Sequence, residues 1–142
     1  MPLPNANKEE MMEKIQFDSG LRSYRINGNG ILRFNPCDPN LYSRFAEAVE
    51  KLQAVETELT QQAETADEQE ILKLMGEADE KMKSILNWIF GGSNDFHKLL
   101  DGINLLAVAE NGERVVTNLF HALEPVLIDG AKLCAGQLAK NR

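Results

Sequence analysis

Between Leu41 and Ile89 the apolar residues recur at steps of three and four, in two stretches divided by an acidic one. Leu41, Phe45, Val49, Leu52, Val55 and Leu59 make the first stripe. Ile71, Leu74, Met75, Ala78, Met82, Ile85, Leu86 and Ile89 make the second. A period of about 3.6 residues puts each set on one face of a helix. Residues 64–70 offer only Ala66 as an apolar side chain and read as a polar connection. One helix running straight through is the alternative, because Glu, Gln and Ala all favour helix. Two stripes joined by a short polar link predict an antiparallel pair, each helix burying its face against the other. The first helix has a clear start: Asp38 can cap open N–H groups and Pro39 suits the first helical position. It runs to about residue 63.

Before the pair the period changes from helix to strand. KIQFD sets Ile15 and Phe17 on one side, SYRING sets Tyr24 and Ile26 together, and ILRF supplies Leu32 and Phe34. Asn27-Gly28-Asn29-Gly30 is a strong turn signal, since Asn and Gly tolerate the positive φ that tight hairpins need. A small antiparallel hairpin or three-stranded meander follows, and it must lie against helices or a second subunit to be stable in water. Residues 1–13, with two prolines and two asparagines, read as a flexible arm with a turn of helix near its end.

After the pair, Gly91-Gly92-Ser93-Asn94 stops the second helix, and Ser93 or Asn94 can cap a short helix through Leu100. The stretch INLLAVAENGERVV predicts a short helix or an extended turn. A last helix from about Glu113 carries Val116, Leu119, Phe120, Leu123, Val126 and Leu127, with Pro125 expected to kink or divide it. Gly130 and Gly136 predict fraying beyond. The fold class is α+β and mostly α-helical: an N-terminal β-hairpin, an antiparallel helix pair and a C-terminal helical segment. Residues 14–142 form a single domain.

Chemistry is sparse. His97 and His121 are isolated, and neither has His or Cys at a zinc-ligand spacing. Cys37 and Cys134 are distant in sequence and read as free thiols, although Cys37 precedes a helix start, where a thiol pKa falls. The carboxylates at 56, 58, 64, 67, 68, 70, 77, 79 and 80 read as a solvated helical face. Asn27-Gly28-Asn29-Gly30 lacks the trailing residues of a phosphate loop. No catalytic residue, cofactor or metal is expected, and the chain does not read as an enzyme. A net charge of −7 argues against gripping nucleic-acid phosphates. No apolar run approaches the roughly 20 residues that span a bilayer, and the opening has no apolar core of signal-peptide length. A cytoplasmic protein is expected.

The segments LRFNPCDPNLYSRF (32–45) and NLLAVAENGERV (104–115) resemble a family of small proteins of tailed phages and prophages of Firmicutes. The similarity in pattern runs from about residue 17 to about residue 134. The family resembles the tail assembly chaperones, small acidic proteins that coat the helical tape-measure protein and bring tail-tube subunits to it. The resemblance implies phage tail morphogenesis by protein–protein contact in the cytoplasm of the bacterial host, without catalysis. A structural virion component, a head–tail connector or a tail terminator subunit, is the alternative. Aromatic residues beside the Gly-Gly break nominate Trp88, Ile89, Phe90 and Phe120 as a partner surface. Arg25 and Arg33, on the outer face of the hairpin, nominate an edge for an acidic partner or for a second copy in a homo-oligomer.

Overall fold

The computed structural model describes residues 11–140. Ten residues of the expected N-terminal arm lie outside that range, and Met11, Met12 and Glu13 are exposed. Strands β1 (Arg22–Ile26) and β2 (Gly30–Phe34) pair antiparallel, Tyr24 opposite Leu32 and Ile26 opposite Gly30. The turn takes positive φ at Asn27 (47°) and Gly28 (77°), and Asn29 N–H donates to the Ile26 carbonyl at 2.7 Å. Period-2 alternation turns Leu32 and Phe34 inward and leaves Arg25, Ile31 and Arg33 outside.

The sheet has two strands, not three. Ile15 and Phe17 alternate as a strand would, yet both are exposed. The Asp18 carboxylate accepts from Gly20 N–H, where φ reaches 77°, and Asn35 Nδ2 donates to the Ser19 carbonyl. These bonds set the chain where it enters β1, and the residues before them join no ladder.

Helices α1 (Pro39–Ala63) and α2 (Glu68–Phe90) form the expected antiparallel pair. The polar connection is a turn, with Ala66 N–H bonded to the Ala63 carbonyl, rather than a continuous helix. Asp38 caps α1 by accepting from Asn40 N–H at 3.0 Å, and Asp67 caps α2 by accepting from Glu70 N–H at 2.8 Å. At the far end of α2, Arg44 Nε donates to the Ile89 carbonyl at 2.7 Å, putting a cation where the helix dipole is negative.

The short helix α3 (Phe96–Leu99) is capped by Asp95, one residue beyond the expected cap. Asn94 instead closes the open edge of β2, its side chain accepting from Arg33 N–H and donating to the Arg33 carbonyl. Helix α4 (Val115–Lys140) runs through Pro125 without dividing and continues past Gly130 and Gly136. One core results. Leu32 and Phe34 from the hairpin, Leu41 and Ala48 from α1, Met82 and Leu86 from α2, Phe96 from α3, and Leu119 and Leu123 from α4 meet in it. Phe90 is its hub, with ring centroids 5.0 Å from Phe34, 5.5 Å from Phe96 and 6.1 Å from Phe45.

Candidate functional site

Helix α1 packs along α2 but meets α4 only locally. The two helices therefore leave a groove of about 450 Å³ between them. Phe45, Val49 and Leu52 of α1 line one side, and Val116, Phe120, Leu127 and Ile128 of α4 the other, with Met82 of α2 beneath. Gln53, Glu56, His121 and Glu124 form a polar rim. Val49 and Ile128 remain 48% and 44% exposed. The physical origin is in α4, which carries more apolar surface than one core-facing stripe can hide: Val116, Leu119 and Leu123 are buried, while Ile128, Leu133 and Leu138 are left outside. A second groove of about 500 Å³ lies between the hairpin and α4, lined among others by Tyr24, Ile26, Ile103, Leu119 and Val126.

The nominated aromatic residues separate. Trp88 is 39% exposed on α2 with the Lys51 ammonium 4.1 Å above its ring, a cation–π contact across the helix pair. Ile89 and Phe90 are buried in the core and present no surface to a partner. This corrects their nomination: the end of α2 is covered by β2 and α3, so only Trp88 of the three faces outward. Phe120 lines the α1–α4 groove, its ring 6.1 Å from Phe45. Arg25 and Arg33 are exposed on one face of the hairpin, flanking Ile31.

Among the described residues neither histidine is hydrogen-bonded to a thiol. His97 is held between two carboxylates, Nε2 2.7 Å from Glu80 Oε2 and Nδ1 3.1 Å from Asp95 Oδ1. Cys37 borders a hollow with Asn35, Asp38 and Arg44, and no histidine lines it. Among the described residues no group of three or more His, Cys, Asp or Glu side chains could hold a metal ion. No described helix is long and apolar enough to cross a membrane.

The carboxylates bonded to His97 raise it above its ordinary value of 6.5, Glu80 contributing most. Asp95 is lowered below 3.8, first by the His97 backbone N–H. A raised base stabilises the fold below its unfolded pKa and loses that contribution as pH rises through the folded one. A lowered acid stabilises above its unfolded pKa and loses that contribution as pH falls through the folded one. The clamp is therefore strongest between about pH 4 and pH 6.5. Proton NMR of His97 is expected to give a midpoint above 6.5 that falls toward 6.5 in Glu80→Gln; an unmoved midpoint contradicts the clamp.

Sequence reasoning missed one buried feature. Asp79, read with its neighbours as part of a solvated face, is 6% exposed, and Lys83 is 2% exposed. Lys83 Nζ lies 2.9 Å from Asp79 Oδ2, and Asp79 Oδ1 accepts from Leu105 N–H at 2.7 Å. The signal was present: the acid at 79 and the base at 83 stand beside Ala78 and Met82, one step off the apolar stripe, at the spacing that lets a pair close.

No protein-family model, curated protein or solved structure matches this chain. Segments 32–45 and 104–115 are heavily engaged in the fold. Leu32, Phe34 and Leu41 of the first and Leu105 and Leu106 of the second are buried. Asn104 ties the second to α2 through the Met75 carbonyl.

Proposed function

We propose that this protein acts without catalysis, by holding an apolar helical segment of another protein in the groove between α1 and α4. The observation that carries the reading is the groove itself, open to solvent and lined by apolar side chains of two helices. Apolar area removed from water is worth about 25 cal/mol per Å² before the costs of association. An amphipathic helix with apolar residues at i, i+3, i+4 and i+7 matches such a trough. The acidic rim at Glu56 and Glu124 favours an occupant with basic flanks.

The resemblance of residues 32–45 and 104–115 to small phage proteins supplies the partner. The occupant is a helical stretch of the tape-measure protein, and the role is tail assembly chaperone in the bacterial cytoplasm, with tail-tube protein as second client. Trp88 and the Arg25–Arg33 face are further contact surfaces, the latter open to a second copy.

Co-expression with a phage tape-measure protein tests the proposal. A soluble complex is expected for the native chain, and binding is expected to fall at least tenfold in Val49→Glu while the melting temperature holds. Val49 is half-exposed, so a surface change there costs little stability. A complex that Val49→Glu leaves intact would falsify the groove. A chain that instead runs alone as a closed ring and stays in the finished particle is a connector or terminator subunit.

A further inference from the structure

Cys37 and Cys134 are distant in sequence, yet the fold brings their segments into backbone contact. Gly130 of α4 lies so close to Pro36 that a Cβ there would stand 2.1 Å from the Pro36 carbonyl oxygen. Tyr42 ties the same two segments: its Oη is 2.6 Å from the Pro36 carbonyl oxygen and 2.7 Å from that of Leu127. Cys37 follows Pro36 directly, and Cys134 follows Gly130 by about one helical turn. Residues four apart share a helix face, so the side of α4 that sets Gly130 against Pro36 carries Cys134 toward Cys37, and Cys37 is among the neighbours that raise the Cys134 thiol. Both are partly exposed, so a small solute reaches them.

We propose that Cys37 and Cys134 are an oxidisable pair that closes to a disulfide across the junction of α4 with the start of α1. The oxidant is a hydroperoxide, hydrogen peroxide in the simplest case. The Cys37 thiolate attacks one peroxide oxygen, the O–O bond breaks, and hydroxide leaves and is protonated to water. Cys37 is then a sulfenic acid. The Cys134 sulfur attacks it, the S–S bond forms, and the sulfenic oxygen departs as a second water with the Cys134 proton. Two thiols are oxidised by two electrons in all, and the peroxide is reduced to two waters.

Position assigns the roles. Cys37 borders the open hollow with Asn35, Asp38 and Arg44, where a small peroxide can reach its sulfur first. Burial, then the neighbouring Cys37 and Asp38, hold the Cys134 thiol above its ordinary value of 9.0, so it stays protonated and is not the thiol that meets the peroxide first. In a reducing cytoplasm the bond is transient, as redox-sensing disulfides are. Closed, it locks the distal half of α4 onto the loop before α1 and spans a loop of about 100 residues.

Peptide mapping of the full reduced chain after brief treatment with hydrogen peroxide tests this. The monomer is expected to lose two hydrogens, with the Cys37 and Cys134 peptides linked. Its melting temperature should rise by about 10 °C and return with dithiothreitol. In Cys134→Ser, Cys37 should be trapped as a sulfenic acid by dimedone, with no rise in melting temperature. Cysteines that stay free to alkylate, that oxidise separately to sulfinic acids, or that link two chains would each overturn the pair. No partner enters this experiment, so its failure leaves the groove proposal untouched. The mapping is done on the native chain and needs no variant to fold.

Discussion

Asp79→Ala is expected to destabilise this protein by about 3–5 kcal/mol, the usual cost of removing one partner from a buried ion pair. The loss has two parts. The Lys83 ammonium, 2.9 Å from the carboxylate and almost wholly buried, would be left with no counter-charge beside it. Leu105 N–H would lose the acceptor that now lies at 2.7 Å, and a buried unsatisfied donor alone costs about 1–3 kcal/mol. Asp79→Asn separates these parts, because its amide oxygen can still accept from Leu105 while the charge is gone. Urea unfolding is expected to rank native chain, Asp79→Asn and Asp79→Ala in falling order of midpoint. Domains of this kind are stable by only about 5–15 kcal/mol, so the alanine variant should lie near the edge of folding. A loss below about 1 kcal/mol would show that the pair is solvated and its burial unimportant.

The second large effect is expected from the smallest change. Gly130→Ala should cost about 3 kcal/mol or more, although alanine in place of glycine inside a helix ordinarily gains about 1 kcal/mol. The new methyl would meet the Pro36 carbonyl oxygen at 2.1 Å and its carbonyl carbon and Cβ at 2.7 Å. These are parts of a fixed loop, so either α4 or the loop must move. Movement would also stretch the Tyr42 hydroxyl away from one of its two carbonyls, a bond worth about 1 kcal/mol. Gly76 and Gly136 are the controls, since nothing stands within 4 Å of a Cβ at either and both lie in helices. Alanine at those two positions should raise the thermal midpoint by a few degrees and at Gly130 lower it by several. A neutral Gly130→Ala would mean that α4 sits further from the loop.

The helix pair was readable because its information is local. The stripe from Leu41 to Leu59, the Asp38-Pro39 start and the polar break each act within a few residues, and the observed helices end at Ala63 and begin at Glu68 accordingly. The hairpin was readable for the same reason, through Asn27-Gly28 and the alternation of Leu32 and Phe34. Where the expectation failed, a distant residue intervened. Ile15 and Phe17 have strand alternation but pair with no strand, and Asn94 rather than a third strand covers β2. Pro125 did not divide α4: the cost of its missing N–H and its ring, about 3 kcal/mol, is outweighed by the buried contacts of Leu119 and Leu123 before it and Gly130 after it.

The candidate site was less legible than the fold. Trp88, Ile89 and Phe90 beside a glycine break, and Phe120 far along the chain, share a chemistry, not a face, and only packing shows that Ile89 and Phe90 turn inward while Trp88 and Phe120 serve different surfaces. The groove exists because α4 meets α1 only locally, which no periodicity records.

The amino-acid sequence by itself determined the elements of this protein: which stretches are helix or strand, where each begins, and which side of each is apolar. Periodicity, caps and turn residues work through covalent neighbours, so they need no folded partner to be read. Only the tertiary structure decided which residues meet. Asp79 with Leu105, Gly130 with Pro36, and Tyr42 with Leu127 are encounters created by how the α1–α2 pair, the 100–114 segment and α4 close on one another. The reason is physical: burial and contact belong to pairs of surfaces, and a single chain segment carries only one of the two.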